Sequence, residues 1–298
     1  MPTIIPVASG KGGVGKSFLT ANLAIALAEL GRKVIVADLD LGAANLHTFL
    51  GLENQHAGVG DFVKTKSADL ADFVSRTGTE NLGFIAGDAS TPFMANLAYE
   101  QKRRLIAKIG ALSADYVLLD LSTGTAYNAV DFFRLSPFGL LVATPERPAI
   151  LNLITFLKFF LLRAIEKAFS SRPALRKLLA DEFRRPSHRQ ADGLADLKMK
   201  ISAIDPEAGE KTATLLAQIR PRVVFNRCKS EADFGICEDL DAVIAESLSI
   251  AVDYFGFVYE DPAVAESIRT GKAHLYSASD SAAAEAVFEI ARRIDEYW

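Results

Sequence analysis

Gly10-Lys11-Gly12-Gly13-Val14-Gly15-Lys16-Ser17 is the stretch from which the rest of the chain is read. A short β-branched apolar run, residues 3–7, leads into it. An apolar-periodic segment through Leu19, Leu23, Ala26, Leu27 and Leu30 follows. Strand, glycine-rich turn and helix in that order are the setting in which G-x-x-x-x-G-K-[ST] forms a phosphate-binding loop. Glycines let consecutive backbone N–H groups curl round a phosphate chain, and the helix N-terminus adds its partial positive charge. Lys16 is then placed to reach the terminal phosphates and the Ser17 hydroxyl to ligate Mg²⁺. Gly10 to Ser17, with the adjoining Phe18, form the candidate cofactor-binding stretch, and the chain reads as a nucleotide binder.

Gly31 stops the first helix, and residues 33–37 read as a buried parallel strand running into Asp38-Leu39-Asp40. Strand alternation puts the carboxylates of Asp38 and Asp40 on one side, facing the ligand crevice at the strand's carboxyl end. Two acids there can hold the water shell of Mg²⁺ and orient an attacking water. Tyr116-Val117-Leu118-Leu119-Asp120 is the second anchor, an apolar central strand delivering a carboxylate to the metal in the Walker B manner. Ser17, Asp38 and Asp120 are thus the candidate metal set. Residues 53–80 read as an irregular or helical connection and residues 81–87 as a short strand. A helix is expected over 96–112, with Glu100, Lys102, Arg103, Arg104 and Lys108 on a solvated face opposite Leu97, Leu105, Ile106 and Ile109. Further strands are expected over 138–143 and 222–227, and helices over 233–248 and 281–298. Strands alternating with helices predict an α/β fold: one doubly wound, mostly parallel sheet of the P-loop NTPase type.

Lys11, directly after the first glycine, is a lysine that ordinary phosphate loops do not need. K-G-G-V-G-K-[ST] resembles the deviant Walker A of the MinD/ParA family of dimerising ATPases. The resemblance implies that Lys11 reaches the nucleotide of a partner subunit. D-x-D-L-G-x-x-N, from Asp38 to Asn45, resembles the first switch of MinD and FlhG members, which implies water activation by Asp40 and a place beside the metal for Asp38. Lys11, Lys16 and Asp40 are therefore the candidate catalytic residues. Gly124 follows Asp120 at switch spacing, although Asp-Leu-Ser-Thr-Gly departs from the family's D-[ST]-[PG]-A-G. Thr144-Pro145-Glu146 resembles the family's T-P-E element, which puts Glu146 near the dimer seam and the nucleoside; Asn152 stands where relatives often carry Asp. Asn226-Arg227 resembles the pair that contacts the adenine edge, and the guanine-reading N-K-x-D is absent, which favours ATP. Residues 252–264, including Asp261, are similar to the loop that closes over the base, with Tyr259 in place of the usual proline. The resemblance covers about 1–160 and 220–275.

The chain has 298 residues, half of them hydrophobic, and a net charge of −4, which argues against non-specific DNA binding by the whole surface. Cys228 and Cys237 are spaced unlike a zinc motif and suit a reduced cytosol. The first strand begins almost at once, so no signal peptide is expected. Residues 150–169 are strongly apolar but interrupted by Lys158 and Arg163, which reads as a core helix rather than a membrane span. A basic stretch follows (Lys167, Arg172, Arg176, Lys177, Arg184, Arg185, Arg189), broken by Pro173 and Pro186. Residues 165–218 are expected to be a helical insertion on a single 1–298 domain, either packed on the core with its basic residues in solvent or offering a dimer, partner or anionic-lipid surface. The expected function is a cytoplasmic, Mg²⁺- and ATP-dependent switch that forms a homodimer with ATP and hydrolyses it slowly. It would place a division site, flagellum or similar machine through a protein partner. Recruitment to a membrane or cell pole stays open, since the C-terminus lacks a clear targeting helix. Two alternatives on the same fold are a ParA-type DNA-partitioning ATPase and an iron–sulfur carrier, the latter disfavoured by the cysteine spacing.

Overall fold

The computed structural model describes residues 1–53, 57–87, 97–184 and 193–298. The helix start expected at Asn96 and the expected surface residues Arg185, Pro186 and Arg189 lie outside the described residues. The N-terminal apolar run forms β1 (Thr3–Ala8), and the glycine loop opens α1 (Lys16–Glu29). This helix is buried on nearly every face, from Phe18 and Leu19 to Leu27 and Ala28, which is why its sequence is apolar all round rather than striped. Gly31 (φ 84°) turns the chain into β2 (Val34–Leu39), after which come the short α2 (Leu46–Phe49) and α3 (Val59–Lys64).

The segment expected to be a plain connection also contains β3 (Ser75–Arg76), which pairs antiparallel with β4 (Leu82–Ile85). Two residues carry no readable alternation, so the strand had no signal of its own. Then come α4 (Tyr99–Ile109), β5 (Tyr116–Leu121), α5 (Tyr127–Phe133), β6 (Leu140–Ala143) and the long α6 (Arg147–Ala168). Next are α7 (Pro173–Arg184), α8 (Gly193–Ile204) and α9 (Pro206–Gln218). The chain then returns to the sheet as β7 (Arg222–Cys228), followed by α10 (Ile236–Leu248) and β8 (Asp253–Tyr259). It closes with α11 (Pro262–Thr270), α12 (His274–Ser277) and α13 (Ala282–Tyr297).

Among the described residues, eight strands make one sheet in the order β3-β4-β2-β5-β1-β6-β7-β8, parallel except for β3. The stretch expected to be a loop over the base is therefore partly an edge strand, β8. Its apolar residues Phe255 and Val258 are buried against the rest of the fold, which a loop reading overlooks. One core cluster lies around α1 and α13, and a second joins the other sheet face to α5 and α6. By length and composition α6 could cross a bilayer, yet half of its most apolar window is buried in this fold. Phe156 and Phe160 meet Phe133 edge-on, with ring centroids 5.1 and 5.0 Å apart. Each such fully buried side chain stabilises the fold by about 1.5–3 kcal/mol.

The charged face expected on α4 is only partly solvated. Glu100 and Arg103 are exposed, but Lys102 is buried in an ion pair with Asp131. Arg104 donates to the carbonyls of Phe62, Thr65 and Lys66 and lies over the Phe62 ring. Asp131, itself 4% exposed, also accepts from Arg163 of α6. A carboxylate buried on α5 needs these cations; the helical period puts Lys102 on the stripe of Leu105 and Ile109, but the acid it meets there belongs to another element.

Candidate nucleotide-binding site

The loop between β1 and α1 takes its shape from two glycines in the left-handed region, Gly13 (φ 81°) and Gly15 (φ 88°). Gly15 is required twice over, because a Cβ there would overlap the amide of Asn226. That amide donates to the Val14 carbonyl at 2.8 Å, tying the end of β7 to the phosphate loop. Gly10 serves a different purpose: its bare Cα lets the loop lie against the α6 backbone at Asn152. Beside the loop opens a cleft of about 890 Å³, lined by Gly12 to Phe18 and Asp40 and, from the other wall, by Asn226, Arg227 and Asp261. It lies at the carboxyl ends of the parallel strands, where ligands of doubly wound sheets bind.

Register sets the acids. Asp38 on β2 pairs with Asp120 on β5, and Asp120 also stands opposite Val7 on β1, which brings the Asp120 carboxyl to Lys16 at the foot of the glycine loop. Lys16 Nζ is 2.7 Å from Asp120 Oδ1 and 3.3 Å from Ser17 Oγ. The Thr20 hydroxyl lies 3.0 Å from the same Oδ1. Asp120 Oδ2 is buried without a hydrogen-bond partner. An orphaned carboxylate oxygen on the acid that shares Lys16 with the Ser17 hydroxyl, at the foot of a phosphate cradle, fits a hard cation completing its shell with phosphate and water.

Asp38 and Asp40 are not side by side at the cleft as strand alternation had suggested. The strand stops at Leu39 and the chain turns, with Ala43 donating to the Asp40 carbonyl at 3.1 Å. Asp40 lines the cleft, whereas Asp38 is buried, accepting the N–H groups of Asp40 and Leu46, each at 3.0 Å. Burial, with the charge of Asp120 next, pushes the Asp38 carboxyl up to about 7. Burial also raises Asp40, against the opposing pull of Lys16.

Among the other expected site residues, Lys11 is half-exposed and not part of the cleft wall. Glu146 is also outside that wall; it precedes the first turn of α6 and takes the Thr144 hydroxyl at 3.3 Å. Asp261 is at the cleft but committed to structure, accepting from Ala263 N to cap α11 and from Ala283 N of α13. Arg227 sits at a register shift in the β7–β8 pairing with φ 61°, and its Nη1 is 3.4 Å from the Gly13 carbonyl. Such a bulge re-aims a side chain next to a site. Sequence reasoning missed Thr20, although its spacing of four from Lys16 puts both on one helix face. It also missed the tie from Gly124 N to the Ser9 carbonyl, 3.0 Å, which joins the loop after β5 to the start of the phosphate loop.

Residues 5–275 match the CobQ/CobB/MinD/ParA nucleotide binding domain, which is most of the chain. The chain belongs to that family. Over 147 residues it is 36% identical to the septum site-determining protein MinD of Helicobacter pylori, covering 49% of this chain and 54% of that one. Over 157 residues it is 33% identical to the antiactivator FleN of Pseudomonas aeruginosa, covering 52% and 55%. The chain thus spans about half the length of the curated relatives it matches. The fold of MinD from Pyrococcus horikoshii, solved with Mg-ADP, superposes on 99% of this chain and 97% of that one with a TM-score of 0.65 at 23% identity. The MinD/ParA-family sheet order and the cleft beside its glycine loop are therefore those of a known nucleotide-binding fold.

Proposed function

We propose that this MinD/ParA-family chain is an ATPase switch. ATP bound with Mg²⁺ favours a face-to-face homodimer, a protein partner reads that dimer, and slow hydrolysis to ADP and phosphate resets it. The observation that supports the reading best is the cleft itself, where the glycine cradle, Lys16, Ser17 and Asp40 meet, with the buried Asp120 behind Lys16. Bound Mg²⁺ would supply charge neutralisation at the terminal phosphates. Ser17 and Asp120 would hold it, with Asp38 behind them keeping the switch backbone in place through the N–H groups of Asp40 and Leu46. Lys16 then leaves Asp120 for the phosphate oxygens, and Asp40 orients the attacking water and takes up its proton. A carboxyl raised by burial is the better base near neutral pH. Asn226, Arg227 and Asp261 are assigned to the adenine side, and Lys11 and Glu146 to the dimer seam.

The chain works in this reading as one P-loop domain of residues 1–298, with the helices across about 165–218 as an insertion packed on it. Its task is spatial: positioning a division site, flagellum or other polar machine from the cytoplasm, with recruitment to a membrane or pole. An iron–sulfur role is disfavoured by the spacing of Cys228 and Cys237, the first of them buried. The test is molecular mass in solution with Mg·ATP and with Mg·ADP, using Asp40→Ala to prevent turnover. A dimer with ATP alone, lost in Lys11→Ala, is expected. A monomer in both states with ATP still bound would overturn the autonomous switch.

A further inference from the structure

Outside the nucleotide cleft, a groove of about 300 Å³ opens where the end of α5 meets α6 and α9. Phe160 and Ala164 of α6, with Leu215 and Ile219 from the end of α9, give it an apolar wall. Arg134, the cap residue of α5, and Lys167 of α6 line the same groove and are both partly exposed.

The charges here do not cancel. Asp131 Oδ1 accepts from Arg163 Nε at 2.8 Å, and Oδ2 takes both Lys102 and Arg163 Nη2. Glu166 is taken by Arg163 Nη1 at 2.6 Å. Arg134 is left 3.8 Å from an Asp131 oxygen that is already committed, and among the described residues no hydrogen bond reaches its guanidinium. Its side chain is 28% exposed, and burial lowers its pKa more than the charges of Asp131 and Glu166 raise it, with no hydrogen bond replacing the lost water. Lys167 adds a second cation at the same groove. A half-buried fork of free N–H donors beside an apolar wall matches a carboxylate carried next to a bulky apolar group.

The size decides what brings that group. About 300 Å³ is the lower bound for a small-molecule pocket, enough for one large side chain rather than a whole cofactor. The groove also continues onto exposed aromatic surface. Lys167 Nζ stands 5.5 Å over the ring of Tyr99, which is 63% exposed. One turn earlier on α6, Arg163 stands 4.9 Å over Tyr127, 66% exposed. Tyrosine and arginine beside a small apolar pocket are the composition of a protein-interface anchor.

We propose that this groove is an anchor site for a partner polypeptide that presents an acidic side chain beside a bulky apolar one. The carboxylate meets Arg134, and the apolar side chain seats between α6 and α9. Nothing in this inference depends on the nucleotide cleft, so it stands or falls separately from the ATPase reading.

The test is selection of short random peptides, displayed on phage, on the full-length protein. Enriched peptides are expected to carry Asp or Glu next to Leu, Met or Phe. Their affinity, read by fluorescence anisotropy, should weaken about tenfold or more in Arg134→Gln and in Ala164→Phe, which fills the groove. Arg103→Gln on the exposed face of α4 should leave it unchanged. Should Arg134→Gln fail to fold by its thermal midpoint, Lys167→Gln serves as the charge variant, with a smaller weakening expected. No enrichment, enrichment without a carboxylate, or binding indifferent to these variants would overturn the proposal. Binding of octanoate in the groove with no peptide selected would overturn it too, in favour of a small amphiphile.

Discussion

Replacing Lys16 by methionine removes the cation that holds Asp120 in the nucleotide-free cleft while keeping an unbranched chain of similar length. The pair is 2.7 Å long with side chains 4% and 0% exposed, so water cannot take over from the ammonium. Asp120 would retain only the Thr20 hydroxyl among the described residues, with Asp38 still close. Stranding one charge of a buried pair costs about 3–5 kcal/mol. The loss carries a pH signature. Asp38 already sits near 7, and losing the Lys16 charge raises it further. The destabilisation should therefore approach its full size at about pH 8 and shrink towards about pH 6, where protonated Asp38 no longer repels Asp120. Urea unfolding of the nucleotide-free protein measures it, read through Trp298, the sole tryptophan, whose ring lies 4.0 Å from the Arg222 guanidinium. Lys16→Met/Asp120→Asn should recover most of the loss. A loss below about 1 kcal/mol, equal at both pH values, would refute the charge account of the site.

Three further outcomes follow from individual side chains. Asp38 has a folded pKa of about 7, above its unfolded value of 3.8, so its contribution is full below the unfolded value and lost as pH rises to about 7. At about 1.4 kcal/mol per unit this reaches at most about 4 kcal/mol. Asp38→Asn should flatten that decline in the thermal midpoint of the nucleotide-free protein; an unchanged slope would contradict it. On α4, Lys102→Met should lose about 1.5–3 kcal/mol, one charged hydrogen bond, because Asp131 keeps both bonds to Arg163, while Arg103→Met, 71% exposed, should be indistinguishable from wild type in the same melt. The raised thiol pKa values predict that Cys228 and Cys237 react slowly with a disulfide reagent at about pH 8 and quickly once urea unfolds the chain. Fast native labelling of Cys228 would show that its burial is not persistent.

Much of the site was legible because its chemistry is local in sequence. Gly13, Gly15, Lys16 and Ser17 act through backbone torsions and a helix start that neighbours along the chain dictate. Asp120 was readable as the end of an apolar strand, since a parallel strand buried on both faces needs an unbroken apolar run. The same reasoning placed β1, β2, β5, β6 and β7. It failed where a residue's meaning depends on another element. Strand β3 is two residues long and exists through its pairing with β4. Strand β8 looked like a loop because its buried residues gain their partners from β7 and α13.

Charges divide in the same way. Glu100 and Lys102 are two residues apart and so on different sides of α4, Lys102 on the stripe of Leu105 and Ile109, yet its partner there, Asp131, is 29 positions further along the chain. Asp38 and Asp40 looked equivalent by strand alternation. The turn after Leu39 buried one as a backbone acceptor and left the other in the cleft. The sequence by itself determined the phosphate loop, the parallel-strand pattern and the acids that accompany them, because local torsion and periodicity are properties of neighbouring residues. Only the tertiary structure decided which charges are buried, which are paired and which are left over. Desolvation and Coulomb energy depend on distances between elements, and those distances exist only after the chain has folded.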